Sequence, residues 1–169
     1  MSRSTSRWVF VFLAALDVSF VLSTVDQLPE MVATHYRFDG RADGWMTRTG
    51  YLLFMMGFTL GFAALIAFLI GFLPRRWPHL TNIPNREYWL AEPRREDSVQ
   101  FLSAHGWWLA CLLVLLFAGV HYAILISHRS QPPNLPLSVF LPLLSGFFIG
   151  FVIWIMALHR RFHKRGGLS

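Results

Sequence analysis

The sequence has few charged residues and almost no cysteine. Of its 169 residues, 14% are charged and 54% are hydrophobic, a balance that is unusual for a soluble globular domain. Its single cysteine, Cys111, cannot build a disulfide framework or a CxxC redox or zinc site within the chain. No G-x-S-x-G, P-loop or H-E-x-x-H motif occurs. We therefore predict a protein that is not an enzyme, with no catalytic residue, cofactor or metal site.

The basic residues are more numerous than the acidic ones, which raises the question of an anionic partner. The formal net charge is +6 at pH 7 and the sequence pI is about 10.4. The arginines flank apolar runs instead of forming one soluble patch, so anionic lipid headgroups explain them better than nucleic acid does. The predicted partners are therefore the lipid bilayer and its anionic headgroups, with no nucleic acid.

Four apolar runs are long enough to cross about 30 Å of hydrocarbon at about 1.5 Å per residue. They predict an all-α fold, a single membrane domain over 1–169 with four transmembrane helices. The first run is short enough to resemble a signal peptide. However, it contains the acidic residue Asp17 and is not followed by a cleavage site, so we expect an uncleaved span. The predicted spans are 8–25, 51–73, 106–127 and 137–158.

The distribution of basic residues predicts the orientation. The N-terminus, the loop 74–105 and the basic tail 159–169 share one side of the membrane and hold eleven Lys or Arg, whereas the loop 26–50 and the last connection hold four. Because the basic side usually stays in the cytoplasm, both termini should be cytoplasmic and the loop 26–50 should face outward. The expected localisation is a multi-pass protein of the cell membrane.

Two small-xxx-small motifs lie in the predicted spans, Gly57–Gly61 in the second and Gly146–Gly150 in the fourth. Such spacing lets helix backbones approach closely. We expect these glycines to pack inside the bundle in preference to forming a dimer interface.

The outer loop 26–50 contains strong turn signals and several candidate site residues. Pro29 suits the first position of a short helix, and two Asp-Gly pairs predict turns. His35, Asp39 and Asp43 would share one face of a helix, but the glycines oppose a continuous helix, so turn capping is favoured over metal binding. The outer-loop candidates are His35, Asp39, Gly40, Asp43, Gly44 and Trp45.

The middle loop 74–105 offers a second candidate surface. The segment Glu92–Asp97 favours the start of an interfacial helix that leads into the third span. One interpretation is a docking surface for a membrane or cytoplasmic protein partner, and the other is a membrane anchor made of aromatic and basic side chains. The candidates are Asn82, Pro84, Asn85, Tyr88, Trp89, Arg94 and Arg95.

These two loops resemble a known family. The outer string runs from Leu28-Pro29 through His35 and Gly40 to Asp43-Gly44-Trp45, and the middle string is NIPNREYWLAEPRR at 82–95. Both resemble the SdpI-like bacterial membrane-protein family of unknown function. The resemblance implies a polytopic helical protein of the bacterial inner or cytoplasmic membrane. Some family members confer immunity to a secreted peptide toxin or hold a transcriptional repressor at the membrane.

Three polar residues inside the spans are the intramembrane candidates: Asp17, Thr24 and His121. An ionisable side chain at mid-bilayer is costly unless it pairs, protonates or lines a wet cavity. Thr24 lies two helical turns from Asp17 on the same face, and a water could bridge Asp17 to His121 if their helices are neighbours. Interhelical hydrogen bonds that only orient the bundle are the alternative.

Three functional hypotheses follow from the sequence. The first is a small accessory, sensing or signalling protein of the cell envelope. The second is a proton-linked transporter or channel subunit that uses Asp17 and His121. The third, which rests on the resemblance alone, is an SdpI-like toxin-immunity protein. Four spans and no obvious C-terminal extension of the kind expected for the larger immunity proteins make the third the weakest.

Overall fold

The computed structural model describes residues 3–163 and consists of long helices with one small sheet. The short 3-10 turns are Val25–Gln27 and Pro78–Leu80, and Gly57–Phe62 is a π-helical segment between α2 and α3. The helices are α1 (Arg3–Thr24), α2 (Arg48–Met56), α3 (Ala63–Arg76), α4 (Arg86–Trp89), α5 (Arg95–Ser127) and α6 (Leu137–His163), and the strands are β1 (Met31–Tyr36) and β2 (Ala42–Thr47).

Four helical segments are long and apolar enough to cross a membrane, which confirms the predicted fold class. Each is longer than its predicted span, because helical hydrogen bonding continues through the polar residues that flank the apolar run. Of the predicted basic tail 159–169, the part after His163 lies outside the described residues. The candidate spans are Ser4–Gln27, Arg48–Arg76, Arg95–Ser127 and Leu137–His163.

The predicted interfacial helix before the third span is not a separate element. Arg95 begins a single 33-residue helix, α5, that runs through the whole span. Glu96 and Asp97 lie in its first turn, where carboxylates interact favourably with the positive end of the helix dipole. The polar start and the apolar span are therefore one rigid rod.

The predicted short helix after Pro29 is wrong, because the outer loop forms an antiparallel β-hairpin. β1 pairs with β2, with Ala33 opposite Trp45 and His35 opposite Gly44. A Cβ atom at Gly44 would lie 2.7 Å from the Cβ of His35, so this pairing requires glycine. The β-branched and aromatic residues of both strands favour the pleated surface over a helix.

The core forms around α5, which packs against α1, α3 and α6. The buried residues of α1 recur at spacings of three and four, so one face of the helix points inward. Two apolar clusters include residues of the first span, and the buried residue Asp17 lies between them along α1. Near the N-terminus of α1 the cluster is Phe10, Ala14, Ala63, Ala67, Ala110, Cys111 and Val114. Near the hairpin it is Val21, Val25, Leu28, Val32, Tyr51, Met55 and Ile124.

The predicted inward packing of the small-xxx-small motifs is wrong for most of the glycines. A Cβ atom at Gly57, Gly61 or Gly146 would meet nothing within 4 Å, and only Gly150 approaches another helix, at Leu112. In the second span the inward residue of the π-helical segment is Thr59, which is fully buried. Helical phase therefore directs a hydroxyl, not the glycines, into the bundle.

Gly40 fixes the hairpin to the connection between α5 and α6. Its φ is +85°, and its carbonyl accepts a hydrogen bond from the Leu135 N–H at 2.8 Å. A Cβ atom there would lie 2.7 Å from the Asn134 Oδ1. The hairpin and this connection are thus held together by backbone geometry that only glycine adopts without strain.

We expect Gly40→Ala to destabilise the hairpin end of the protein by about 1–3 kcal/mol. The alanine would have to adopt a left-handed backbone conformation, and its Cβ atom would also clash with the Asn134 side chain. Thermal unfolding in detergent and amide exchange of residues 31–47 measure the effect. Gly61→Ala is the matched control, since its Cβ would meet nothing within 4 Å. Equal stability of the two variants would show that Gly40 is not needed to hold the hairpin to the connection between α5 and α6.

Candidate functional site

Asp17 lies on the buried face of α1, between the two apolar clusters. Only 3% of its surface is exposed. The Thr59 hydroxyl of the π-helical segment faces it closely enough to interact with the carboxyl, but without the geometry of a well-formed hydrogen bond. Neither carboxyl oxygen of Asp17 nor the Thr59 hydroxyl has a hydrogen-bond partner in the described part of the chain. Buried polar groups are usually hydrogen-bonded, so two facing groups without partners are an exception that needs a physical reason.

His121 is fully buried on α5 and connects three helices. Its Nδ1 lies 2.7 Å from the Tyr51 hydroxyl of α2, and its Nε2 lies 2.8 Å from the Thr24 hydroxyl of α1. The ring of Phe20 meets the imidazole edge to face at 5.0 Å between centroids. The structure thus brings Thr24 together with His121, while Asp17 lies two helical turns farther along α1.

The hydrogen bonds around His121 fit one protonation pattern. The Thr24 hydroxyl donates to the Phe20 carbonyl at 2.7 Å, so it accepts the Nε2–H of His121. The unprotonated Nδ1 then accepts the Tyr51 O–H, and every proton in the group has an acceptor. A second proton on the ring would force the Tyr51 hydroxyl, which is buried, to find another acceptor. The packing therefore fits a neutral imidazole.

Polar contacts continue from this group toward the hairpin. Asp17 and Tyr36 both lie within electrostatic reach of the Tyr51 hydroxyl. The Tyr36 hydroxyl is 2.6 Å from the Ser127 hydroxyl at the end of α5. We call Asp17, Thr59, Tyr51, His121 and Thr24 the buried polar cluster, and Tyr36 with Ser127 joins it to the hairpin.

His128 fastens β1 to the end of α5. Its Nε2 accepts a hydrogen bond from the Ala33 N–H at 3.1 Å, and its Nδ1 donates to the Ile124 carbonyl at 2.9 Å. Only the neutral ring can make both contacts, because a protonated Nε2 could no longer accept. This imidazole therefore links the backbone of β1 to the last turn of α5.

Tyr36 makes the stability of the hairpin depend on pH. Burial raises the pKa of the Tyr36 phenol above its usual value of 10.0, and the hydrogen bond to Ser127 opposes that shift. Because the folded pKa lies above the unfolded one, the stabilisation is present below pH 10 and is lost as pH rises through the folded pKa. We expect the protection of amides 31–47, measured relative to the intrinsic exchange rate at each pH, to fall above pH 10, and Tyr36→Phe to weaken that fall. An unchanged pH profile in Tyr36→Phe would refute this role.

The predicted outer-loop residues do not converge on one centre. The His35 Nδ1 lies 2.5 Å from the Asp43 Oδ1, whereas the Asp39 Oδ1 accepts from the Arg41 N–H at 3.1 Å. Gly40 lies in the turn between the strands. Trp45, on β2, lies opposite Ala33 of β1, and 47% of the surface of Trp45 is exposed. Across residues 3–163, no group of three or more His, Cys, Asp or Glu could hold a metal ion.

The predicted middle-loop residues hold the loop against the end of α6. Asn85 Nδ2 and Trp89 Nε1 both donate to the Phe162 carbonyl, at 3.1 and 2.8 Å. Carbonyls in the last turn of a helix lack partners within the helix, so this contact caps α6. Arg94 lies over the Tyr88 ring, 3.9 Å from its centroid, and donates to the Tyr88 carbonyl.

The remaining middle-loop candidates serve the same packing. Pro84 and Asn85 form the turn before α4, where Asn85 has a φ of 52°. The Arg95 guanidinium donates to the Arg75 carbonyl at 2.8 Å. Asn82 is exposed and lines a recess with Arg86 and Glu87. The structural role of this loop is thus to tie the end of α3 to the ends of α5 and α6.

Sequence reasoning missed Tyr51, Thr59 and the contacts of Tyr36 and His128. Helical spacing could have indicated the first two. Tyr51 and Thr59 belong to a series of buried residues that are four positions apart, at 51, 55, 59, 63 and 67. The contacts of Tyr36 and His128 join residues more than 90 positions apart. No local pattern reveals such pairs.

Comparison with known proteins covers only the first part of the chain. Residues 11–60 match the family model described as "Domain of unknown function (DUF1648)". No curated protein and no solved structure matches the chain significantly. The matched segment includes Asp17, Thr24, the hairpin and Thr59, whereas His121 lies outside it. The chain thus combines four helices that are long and apolar enough to cross a membrane with a segment that matches a domain family of unknown function.

Proposed function

We propose that this protein is a small sensing or accessory protein of the cell envelope, in which the buried polar cluster is the responsive element. The hairpin is the part that transmits the response. One observation carries the proposal: Asp17 is almost completely buried near the middle of a span, and neither of its carboxyl oxygens makes a well-formed hydrogen bond to another group of residues 3–163.

The physical argument begins with the charge of Asp17. An ionised carboxylate inside a membrane needs a cation, several donors or water. The hydroxyls of Thr59 and Tyr51 interact with it, and no cationic side chain pairs with it among the described residues. The carboxylic acid is the form that fits this packing. Loss of its proton would force the helices around it to rearrange.

The layout of the bundle favours sensing over conduction. Polar groups lead from Asp17 through Tyr51 toward Tyr36 and the hairpin. On the other side, the apolar cluster that contains Phe10, Ala14 and Val114 fills the space between the helices. A proton pathway that reaches Asp17 from the hairpin side would therefore end there, which suits a switch better than a transporter.

Amide exchange in lipid nanodiscs tests the sensing function. Asp17→Asn is compared with the wild-type protein, and the comparison is repeated in a His128→Gln background, which lacks the imidazole that contacts β1. From about pH 5 to about pH 9, we expect the protection of amides 31–47, measured relative to the intrinsic exchange rate at each pH, to change with pH when Asp17 is present. Asp17→Asn should flatten that change.

Two results would argue against the sensing function. If Asp17→Asn leaves the pH profile of the hairpin unchanged, the cluster does not communicate with the hairpin. If proteoliposomes that contain the protein dissipate a pH gradient and Asp17→Asn stops the flux, the second candidate, proton-linked transport, replaces it.

We also propose that the chain is an SdpI-like bacterial protein, with both termini in the cytoplasm and no enzymatic activity. The motif residues of the two loops support the affiliation, and the excess of arginine on one side supports the orientation. Toxin immunity stays an alternative that rests on this affiliation. Protection of toxin-sensitive cells on expression tests it directly.

A further inference from the structure

A cavity lies between α3, α5 and α6, at the end of the bundle that carries the middle loop. Its volume is about 190 Å³. An apolar cavity of about 150 Å³ can hold benzene, so this one has room for an apolar group of several carbons. Its walls are largely aliphatic and aromatic, formed by Ile70, Leu73, Pro74, Leu102, Trp154 and Leu158.

The mouth of the cavity is polar. Thr81, Asn82 and Ile83 line both the cavity and an adjoining recess of about 400 Å³ that also includes Arg86 and Glu87. Thr81 is 91% buried, and its hydroxyl has no hydrogen-bond partner among residues 3–163. An apolar interior beside a mouth with unused hydrogen-bonding capacity is typical of a site for an amphiphile.

The surroundings of the mouth favour an anionic headgroup. Segments 74–97 and 159–163 contain seven arginines against four acidic residues. Arg75 pairs with Glu96 and Arg161 with Asp97. Each pair uses one charge of either sign, so the arginines of these segments still outnumber the acidic residues. Arg76 lies over the Trp77 ring, and aromatic side chains at a helix end mark the headgroup level of the bilayer.

We propose that this cavity and its mouth bind one anionic phospholipid. Part of one acyl chain occupies the cavity, and the phosphate lies at the mouth, where Asn82 and Arg86 supply donors. Lipid is the most abundant amphiphile around a spanning bundle, and the phosphate would complement the excess of arginine. The bound lipid would tie α3 to α6 and the middle loop.

Native mass spectrometry of the full chain, titrated with phosphatidylglycerol or phosphatidylcholine in detergent, tests the proposal. We expect one retained phosphatidylglycerol per chain and at least a tenfold preference over phosphatidylcholine. Leu158→Trp should fill the cavity and reduce retention at least tenfold. Ile155→Trp is the matched control, because Ile155 lies on the same helix with 43% of its surface exposed, and it should retain the lipid.

Equal retention of both lipids, or equal retention by the Leu158→Trp and Ile155→Trp variants, would overturn the proposal. A second measurement requires no variant. Phosphatidylglycerol with a photoreactive group on the part of one acyl chain that lies next to the glycerol backbone is retained through detergent washing and then activated. Adducts within residues 69–74 or 80–83 support the site, and adducts confined to other segments refute it. Both outcomes are independent of any role of Asp17.

Discussion

Replacing Asp17 by leucine should raise the stability of the protein in detergent by about 1–3 kcal/mol, since it removes a buried polar group that makes no well-formed hydrogen bond within residues 3–163. Few substitutions inside a core stabilise a protein, so the sign alone is informative. The apolar clusters on both sides of Asp17 can accept a leucine side chain. Reversible unfolding in a denaturing detergent measures the difference.

The matched control for Asp17→Leu is Thr59→Val, which removes the facing hydroxyl with little change in shape. Because the Thr59 hydroxyl also lacks a partner, we expect this variant to change the stability by less than about 1 kcal/mol. If Asp17→Leu destabilises the protein, or if Thr59→Val is strongly destabilising, Asp17 is satisfied by contacts that structure the bundle. The cluster would then be an interhelical anchor.

Replacing His121 by phenylalanine should destabilise the bundle by about 2 kcal/mol. The ring volume is nearly conserved, but the Tyr51 hydroxyl loses its acceptor in a fully buried position. Interhelical hydrogen bonds in membranes contribute about 0.6 kcal/mol on average, so most of the loss comes from the unpaired hydroxyl. The same unfolding assay measures it.

A double-mutant cycle separates this cause from altered packing. His121→Phe combined with Tyr51→Phe leaves no buried hydroxyl at this contact, so the double variant should recover much of the loss. The expected coupling is about 1 kcal/mol or more. Additive effects of the two substitutions would show that the hydrogen bond between Tyr51 and His121 contributes little.

The four helices could be predicted because length and apolar composition decide which segments can cross a bilayer. Their ends were less predictable. The polar stretch from Arg95 to the third span continues as helix, since its hydrogen bonding does not depend on hydrophobicity. The hairpin was missed because Pro29 and Glu30 suggest a helix locally, while pairing of β1 with β2 overrides that preference.

The candidate site was predictable only in part. Asp17 and His121 could be predicted as site residues, because an ionisable side chain inside a membrane span has a high free-energy cost and is rarely present without a role. Their partners could not be predicted, because the phase of the second span, through its π-helical segment, decides that Thr59 and not Gly57 or Gly61 points inward. Likewise, Thr24 contacts His121 because of how α1 packs on α5, which spacing within one helix cannot reveal.

The central claim is that Asp17 is an uncharged carboxylic acid at neutral pH and loses its proton when the pH is raised. Infrared difference spectroscopy of the protein in lipid bilayers tests this claim most directly. We predict the C=O stretch of a protonated carboxylic acid in the wild-type protein at neutral pH, absent in Asp17→Asn and lost when pH is raised. A wild-type spectrum without that band, or with a band that persists in Asp17→Asn, would contradict the role of Asp17 as the responsive group.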